Sequence, residues 1–278
     1  MTLAFPLLPT SQDYTVTVQT TNLLGNLLYE NTRQTTFRKQ PLQKTAAGWL
    51  YEVTVLSFQQ TENQGLAQLD ADTAQLRRRL LIETDAAGAL ERIANKEELR
   101  AQWAKLEPEL LRKYRRSDQI TPGMVSGLGQ VLHGDGYLED VLRRGYEYGT
   151  LFPAFYGQTY GEHPVPGPPR TIARFLGNLD LPLTTQIKRR TETLTDVELA
   201  LVVEGQVDQE TYPAEAVRQG LRTMTDQYDL DTTLNSQHVE SYEFDHRSSL
   251  LNAAQFTVFG VQGVFMSKTL CTLQPAGA

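Results

Sequence analysis

The sequence predicts an α+β protein: a curved antiparallel sheet, or sheets, packed on a few helices, with a helical middle segment. Three observations carry this. Both ends of the chain are built of runs in which apolar and polar residues alternate, joined by short turns. The middle places its apolar residues at helical spacing. The regular strand–helix alternation that a parallel doubly wound sheet needs is missing.

In the N-terminal third, Tyr14, Val16 and Val18 alternate with Thr and Gln. Thr35, Phe37 and Lys39 belong to another strand. Trp49, Tyr51, Val53 and Val55 form a third, after a turn signal at Gly48. Gln59 to Gln75 is polar, contains Gly65, and reads as a loop with one helical turn.

Arg78 to Tyr114 has the most explicit local grammar. Leu80 and Ile82 give a period of two, and Asp85-Ala86-Ala87-Gly88 is a turn. Leu90 and Ile93 continue the hairpin. Asn95 is expected to cap a helix with Glu98 three residues on. Leu99, Trp103, Leu106 and Leu110 then lie on one face, and Pro108 either kinks the helix or starts a second one.

Thr121-Pro122 opens a helix that Gly134 ends, with Met124, Val125, Leu128, Val131 and Leu132 as its apolar face. Asp135 is expected to cap the next, carrying Tyr137, Leu138, Val141, Leu142 and Tyr146 and stopping at Gly149. Leu151 to Pro169 mixes Phe152, Phe155, Tyr156 and Tyr160 with prolines and glycines, and suits neither a helix nor a central strand. Its aromatics either cap the core or face a partner, with Phe152 expected inside and Tyr156 and Tyr160 at least partly exposed.

Strands return at Thr171–Leu176, Leu183–Arg189 and Val197–Glu204. Pro213 opens a helix with Val217, Leu221, Met224 and Tyr228 in register. His238–Phe244 and Gln255–Leu273 finish the chain as strands, with Gly260 and Gly263 marking a hairpin or bulge. The organisation is therefore a β-rich segment ending in a helix (1–118), a helical pair with an aromatic Pro/Gly connector (119–169), and a β-rich segment with one helix (170–278). These are expected to form one compact domain.

Composition excludes some functions. The 278 residues are 40% hydrophobic, enough for a sizeable core, and no stretch approaches the roughly 20 apolar residues of a membrane span. Lys and Arg number 26 against 33 acidic residues, and the net charge of −7 argues against a general nucleic-acid binder. The basic clusters at Arg77–Arg79, Arg112–Arg116 and Lys188–Arg190 read as solvated faces or ion-pair partners. A lone cysteine, Cys271, rules out an internal disulfide framework or zinc cluster and reads as a small buried hydrophobe. The start has no basic n-region, so the expected compartment is the cytoplasm, and the periplasm only if a leader has been removed.

No spacing names a chemistry, and neither a catalytic residue nor a cofactor is expected. The sharpest metal candidate is a calcium-loop pattern: Asp229, Asp231, Thr233, Asn235 and Gln237 alternate, with Glu240 at the twelfth position. Leu234 stands where the loop's turn requires glycine, so no metal site is expected. His133–Asp135 and Asp245–His246 are close His–carboxylate neighbours with no nucleophile elbow beside them.

The strand–Asp85-x-x-Gly88–strand–Asn95-x-x-Glu98 helix, continuing to Trp103 and Tyr114, resembles segments of uncharacterised β-rich bacterial proteins. That resemblance implies no activity. A helix wrapped by curved strands is also similar in outline to the lipoprotein-carrier half-barrels of bacterial envelopes, which implies an apolar ligand held inside a half-barrel. The leading expectation is a non-enzymatic, soluble interaction or assembly protein. Its protein partner, self or other, would be met by Phe152, Phe155, Tyr156 and Tyr160. The alternative is a half-barrel that binds an apolar small molecule or lipid, lined by Trp49, Tyr51, Leu199, Leu201 and the same aromatics. A hydrolase-type enzyme is the third.

Overall fold

The structure is a computed structural model that describes residues 1–6, 10–190, 196–225 and 233–277. The chain divides into two compact units. The first comprises Met1–Pro6, Thr17–Asn31 and Gly157–Gln274, the second Leu7–Val16, Thr32–Tyr156 and Pro275–Ala278.

Among the described residues there are twelve strands. These are β1 (Gln12–Leu24), β2 (Leu27–Lys44), β3 (Trp49–Gln60), β4 (Arg79–Thr84), β5 (Leu90–Ile93) and β6 (Val165–Pro166), followed by β7 (Arg170–Leu176), β8 (Leu179–Arg189), β9 (Leu199–Val207), β10 (Asn235–Phe244), β11 (Leu250–Val261) and β12 (Phe265–Pro275). The helices are α1 (Gly65–Thr73), α2 (Lys96–Lys113), α3 (Pro122–His133), α4 (Tyr137–Arg144), α5 (Tyr146–Leu151) and α6 (Ala214–Thr225). The hydrogen-bonded order is β5-β4-β3-β2-β1-β12-β11-β10-β9-β8-β6, with β7 also on β8.

This overturns the α+β expectation. Among the described residues strand accounts for 45% against 26% in helix, so they form mainly one large antiparallel sheet to which a few helices are added. The physical reason is length. β2 runs for 18 residues, whereas the middle segment supplies helices as short as 8 and 6 residues.

In the second unit, Asp85 makes the β4–β5 turn. Its Oδ1 accepts from Ala87 N at 2.9 Å and Ala89 N at 2.8 Å, and Gly88 takes φ +85°. Gly48 allows a close approach there, since a Cβ would lie 2.4 Å from the carbonyl oxygens of Thr84 and Asp85. Helix α2 buries Leu99, Trp103, Leu106 and Leu110 and runs through Pro108 without ending.

Asn95 holds the N-cap position, but its side chain does not cap. Its Oδ1 accepts from Leu81 N at 2.9 Å, and its Nδ2 donates to Arg79 O at 3.2 Å. The buried amide thus continues the β4–β5 ladder by one step. The polar stretch read as a loop contains α1 and a 3₁₀ turn at Ala74–Arg77, seated by Ala67, Leu69 and Leu76.

Gly145 splits the helix expected to run from Asp135 to Gly149. Gly136, at φ +75°, stands at the N-cap of α4 in place of Asp135. Leu138 and Leu142 are buried, while Tyr137 and Val141 face solvent. In α3 the Thr121 hydroxyl accepts from Met124 N, as its Thr-Pro start predicts. Gly129 of the same helix lies against Trp103, where a Cβ would come 2.7 Å from the indole Nε1.

The first unit packs α6 through Val217 and Leu221 onto Leu181, Leu183, Phe175, Leu176, Phe259 and Val261. Gly260 meets the Phe265 carbonyl too closely for a side chain, and Gly263 turns the β11–β12 hairpin at φ +77°. Of the residues expected to continue the α6 stripe, Tyr228 and the Met224 side chain lie outside the described residues.

These contacts order three substitutions. Trp103→Ala is expected to cost roughly 3–5 kcal/mol, as large-to-small core changes do. Gly129→Ala is expected to cost about 1–3 kcal/mol by overpacking the indole. Asn95→Ala strands the Leu81 amide and the Arg79 carbonyl, and is expected to cost on the order of 2 kcal/mol or more. Urea denaturation checks the set, and a neutral Gly129→Ala would contradict the Trp103–α3 contact.

Candidate functional site

The aromatic connector divides between the units. In the second, Phe152 and Phe155 are buried, and Phe152 meets Tyr51 edge to face at 5.7 Å. Lys39 Nζ lies 4.2 Å from the Phe152 ring centroid and 4.9 Å from that of Tyr51, and donates to Leu151 O at 2.7 Å. Burial pushes this amine down to about 7. Tyr156 is half-buried, its backbone N–H bonded to Ala87 O.

Tyr160 belongs to the first unit and is 1% exposed, against the expectation of partial exposure. Its backbone pairs with Met1. Phe152 and Tyr51 therefore come together, Phe155 is buried in the same unit, and Tyr160 belongs to the other. Of the other residues named as lining a half-barrel, Trp49 is half-buried in the second unit, while Leu199 and Leu201 are core residues of the first.

The first unit holds a buried polar ladder. Alternation along β10 sends His238, Glu240, Tyr242 and Phe244 to the same face. Glu240 is 1% exposed and accepts four bonds. Arg170 of β7 donates Nε to Oε1 at 2.7 Å and Nη2 to Oε2 at 2.9 Å. His238 Nε2 lies 2.8 Å from Oε1, and the Tyr242 hydroxyl donates to Oε2 at 2.7 Å. The other imidazole nitrogen meets the Thr257 hydroxyl at 2.8 Å. Gly205, across β9, leaves space for the ring, since a Cβ there would come 2.8 Å from it.

Burial alone would raise the Glu240 carboxyl. The Arg170 charge, with the bonds from His238 and Arg170, outweighs it and holds the group well below the usual carboxylate range. Burial and this carboxylate push the Tyr242 hydroxyl well up. Every lone-pair direction of Glu240 is thus in use, and a calcium ion would have to displace these partners. Asn235 lies at the start of β10 and Thr233 just before it, whereas Asp229 and Asp231 lie outside the described residues.

Each basic cluster meets acids through some of its members, Lys113 through Asp72. Arg77 bonds Asp70 at 2.6 Å, Arg79 bonds Glu52 and Glu98, and Lys188 pairs with Glu204. Arg33 joins Asp70 to the buried Glu147, which also accepts from the Thr35 hydroxyl. Cys271 is fully buried in β12. Among the described residues no group of His, Cys, Asp or Glu is placed to hold a metal, and no helix is long and apolar enough to cross a membrane. A groove of about 330 Å³ in the first unit is lined by Thr184, Gln186, Glu204 and Gln206 beside Pro164–Pro166.

One surface has the opposite character, and the sequence reading passed it over. At the tip joining β1 to β2, Leu23, Leu24, Leu27, Leu28 and Tyr29 are 36%, 48%, 74%, 62% and 40% exposed. Gly25 makes the turn at φ +56°, and its N–H donates to Val264 O of the β11–β12 hairpin at 2.9 Å. No charged residue occurs from Tyr14 to Tyr29 or from Ser248 to Ser267. The sequence signal that could have found this surface is that double absence of charge.

Two predictions follow from the buried charges. Arg170→Met leaves the buried Glu240 without its guanidinium partner and is expected to cost roughly 3–5 kcal/mol. Glu240 has a lower pKa folded than unfolded, so its contribution is complete above the ordinary carboxylate range and lost below it. Stability should therefore fall from about pH 5 downward, less steeply in Glu240→Gln. Lys39 titrates in the other sense. Its folded value lies below that of a free amine, so the unfolded chain binds the extra proton between about pH 7 and pH 10. Stability should rise over that range in the wild type and stay flat in Lys39→Met, as read by chemical denaturation at each pH.

No family model and no curated protein matches the sequence. Among solved structures, the chain is similar to one titled "Lipid-protein interactions in lipovitellin", with a TM-score of 0.51 and 10% identity over 96% of this chain. It spans 25% of that protein's length, so the likeness is one of fold to a quarter of a larger chain. A DUF1329 family protein from Desulfovibrio piger aligns over 97% of this chain and 88% of its own, at 8% identity and a TM-score of 0.19.

Proposed function

We propose that this chain is a non-enzymatic protein that binds lipid. The observation that carries the proposal is the uncharged, leucine-rich tip of the β1–β2 hairpin, where five large apolar side chains are more than a third exposed. Soluble proteins expose single apolar residues routinely, but a contiguous group marks a contact site. Withdrawing each partly exposed leucine from water is worth on the order of 1 kcal/mol. Four leucines then supply about 4 kcal/mol, which corresponds to weak, reversible binding. The fold shared with a lipovitellin segment supports the same reading, since that structure was described for its lipid–protein interactions.

Native mass spectrometry of the protein with a short-chain phosphatidylcholine, held as monomers, tests this. The expected result is a saturable series of lipid adducts. A protein that stays lipid-free with phosphatidylcholine, and equally with a fatty acid, would overturn the proposal.

A further inference from the structure

We propose that the hairpin tip docks on the surface of an electrically neutral, zwitterionic phospholipid bilayer. This rests on the lipid-binding reading and specifies its target. Leu23 and Leu24 are adjacent in β1, as are Leu27 and Leu28 in β2. Adjacent strand residues point to opposite faces, so the tip is apolar on both sides. A protein partner seated on one face would leave the other pair in water. A bilayer interface surrounds the tip and takes up both.

Charge selects the kind of bilayer. Proteins that seek anionic lipids carry clusters of Lys or Arg at the contact. Here the β1–β2 hairpin is uncharged from Tyr14 to Tyr29, its neighbour is uncharged from Ser248 to Ser267, and the whole chain carries −7. An anionic surface would repel this protein, and a zwitterionic one would not. Binding is driven by apolar area alone and does not weaken with salt.

The backbone sets the depth. Of the two turn residues, Gly25 has its N–H bonded to Val264 O, while the exposed Asn26 carries a polar amide that belongs at headgroup level. The pairing of β2 with β3 begins at Arg33, so Leu27 and Leu28 lie beyond it. Outward-facing backbone groups there need water or a headgroup, which confines the tip to the interfacial layer. The base is firm, because Val261 and Val264 of the adjoining hairpin belong to the core of the first unit.

Flotation of the full chain with phosphatidylcholine vesicles, and with vesicles containing phosphatidylglycerol, tests the proposal at low and high salt. The protein is expected to float with phosphatidylcholine at both salt levels, and less well with the anionic vesicles. Leu27→Ser with Leu28→Ser is expected to lower partition by roughly tenfold or more. Leu66→Ser, at a 64% exposed site on α1, should leave it unchanged. If the double variant proves unfolded by circular dichroism, Leu27→Gln alone serves in its place. Binding that grows with anionic lipid, disappears in salt, or falls equally in Leu66→Ser overturns the inference. So does a wild type that dimerises through the leucines without floating. Lipid adducts in mass spectrometry with no flotation refute the bilayer target and leave lipid binding standing, whereas failure of both refutes the reading beneath it.

Discussion

The interior of the first unit depends on the bidentate contact between Arg170 and Glu240. A carboxylate at 1% exposure is tolerable only with a full opposite charge against it. Two parallel N–H···O bonds from a guanidinium supply that charge in a geometry an ammonium cannot match. The remaining acceptor directions go to His238 and Tyr242, and through His238 to Thr257. The ladder is satisfied from end to end, which lets a polar row sit on the same face as Phe244. It also fixes β7. Arg170 opens that strand opposite Leu183, and the chain just before it is held by Gly167 N–H on Thr185 O and by the Thr185 hydroxyl on Pro168 O.

Charge in this protein follows a division of labour. Where a charge is buried, it is paired: Glu240 with Arg170, Glu147 with Arg33, Glu139 with Lys96. Lys39 is the departure, held by aromatic faces and one carbonyl, and its depressed pKa is the consequence. In the first unit the two adjoining hairpins are uncharged from Thr17 to Tyr29 and from Ser248 to Ser267, although the protein as a whole is distinctly acidic. Exposed leucines in such a setting are not the scattered residues any surface shows.

Local grammar was legible where the partners are local. The Asp85–Gly88 turn, the α2 stripe and the Thr121-Pro122 start each follow from residues within a few positions of one another. Asn95 was placed beside Glu98, which its Nδ2 does reach at 3.3 Å, but it was misread as a cap because its other partners are the backbone of β4, reached only after the hairpin folds. Glu240 looked like the last ligand of a metal loop because alternating oxygens suit either a loop or a strand. Its true partner stands 70 residues away. The fold class leaned too far towards helix because periodicity signals the presence of a helix more strongly than its length. The hairpin tip escaped notice because Leu-Leu pairs break the period of two by which strands are recognised.

An apolar hairpin tip is a hazard as well as a device, since exposed strand edges invite aggregation. β1 is flanked by β2 on one side and β12 on the other, which leaves it no free edge to recruit another chain. The Gly25 N–H is consumed by the Val264 carbonyl. What the tip offers outward is side chains and, at Leu27 and Leu28 of β2, a short edge beyond the pairing with β3. A second copy of the chain would have only that short edge to pair with and would bring another acidic surface close. A fluid lipid interface demands neither hydrogen-bond register nor charge complement. The same features that suppress self-association thus leave the leucines suited to a soft, neutral, apolar layer.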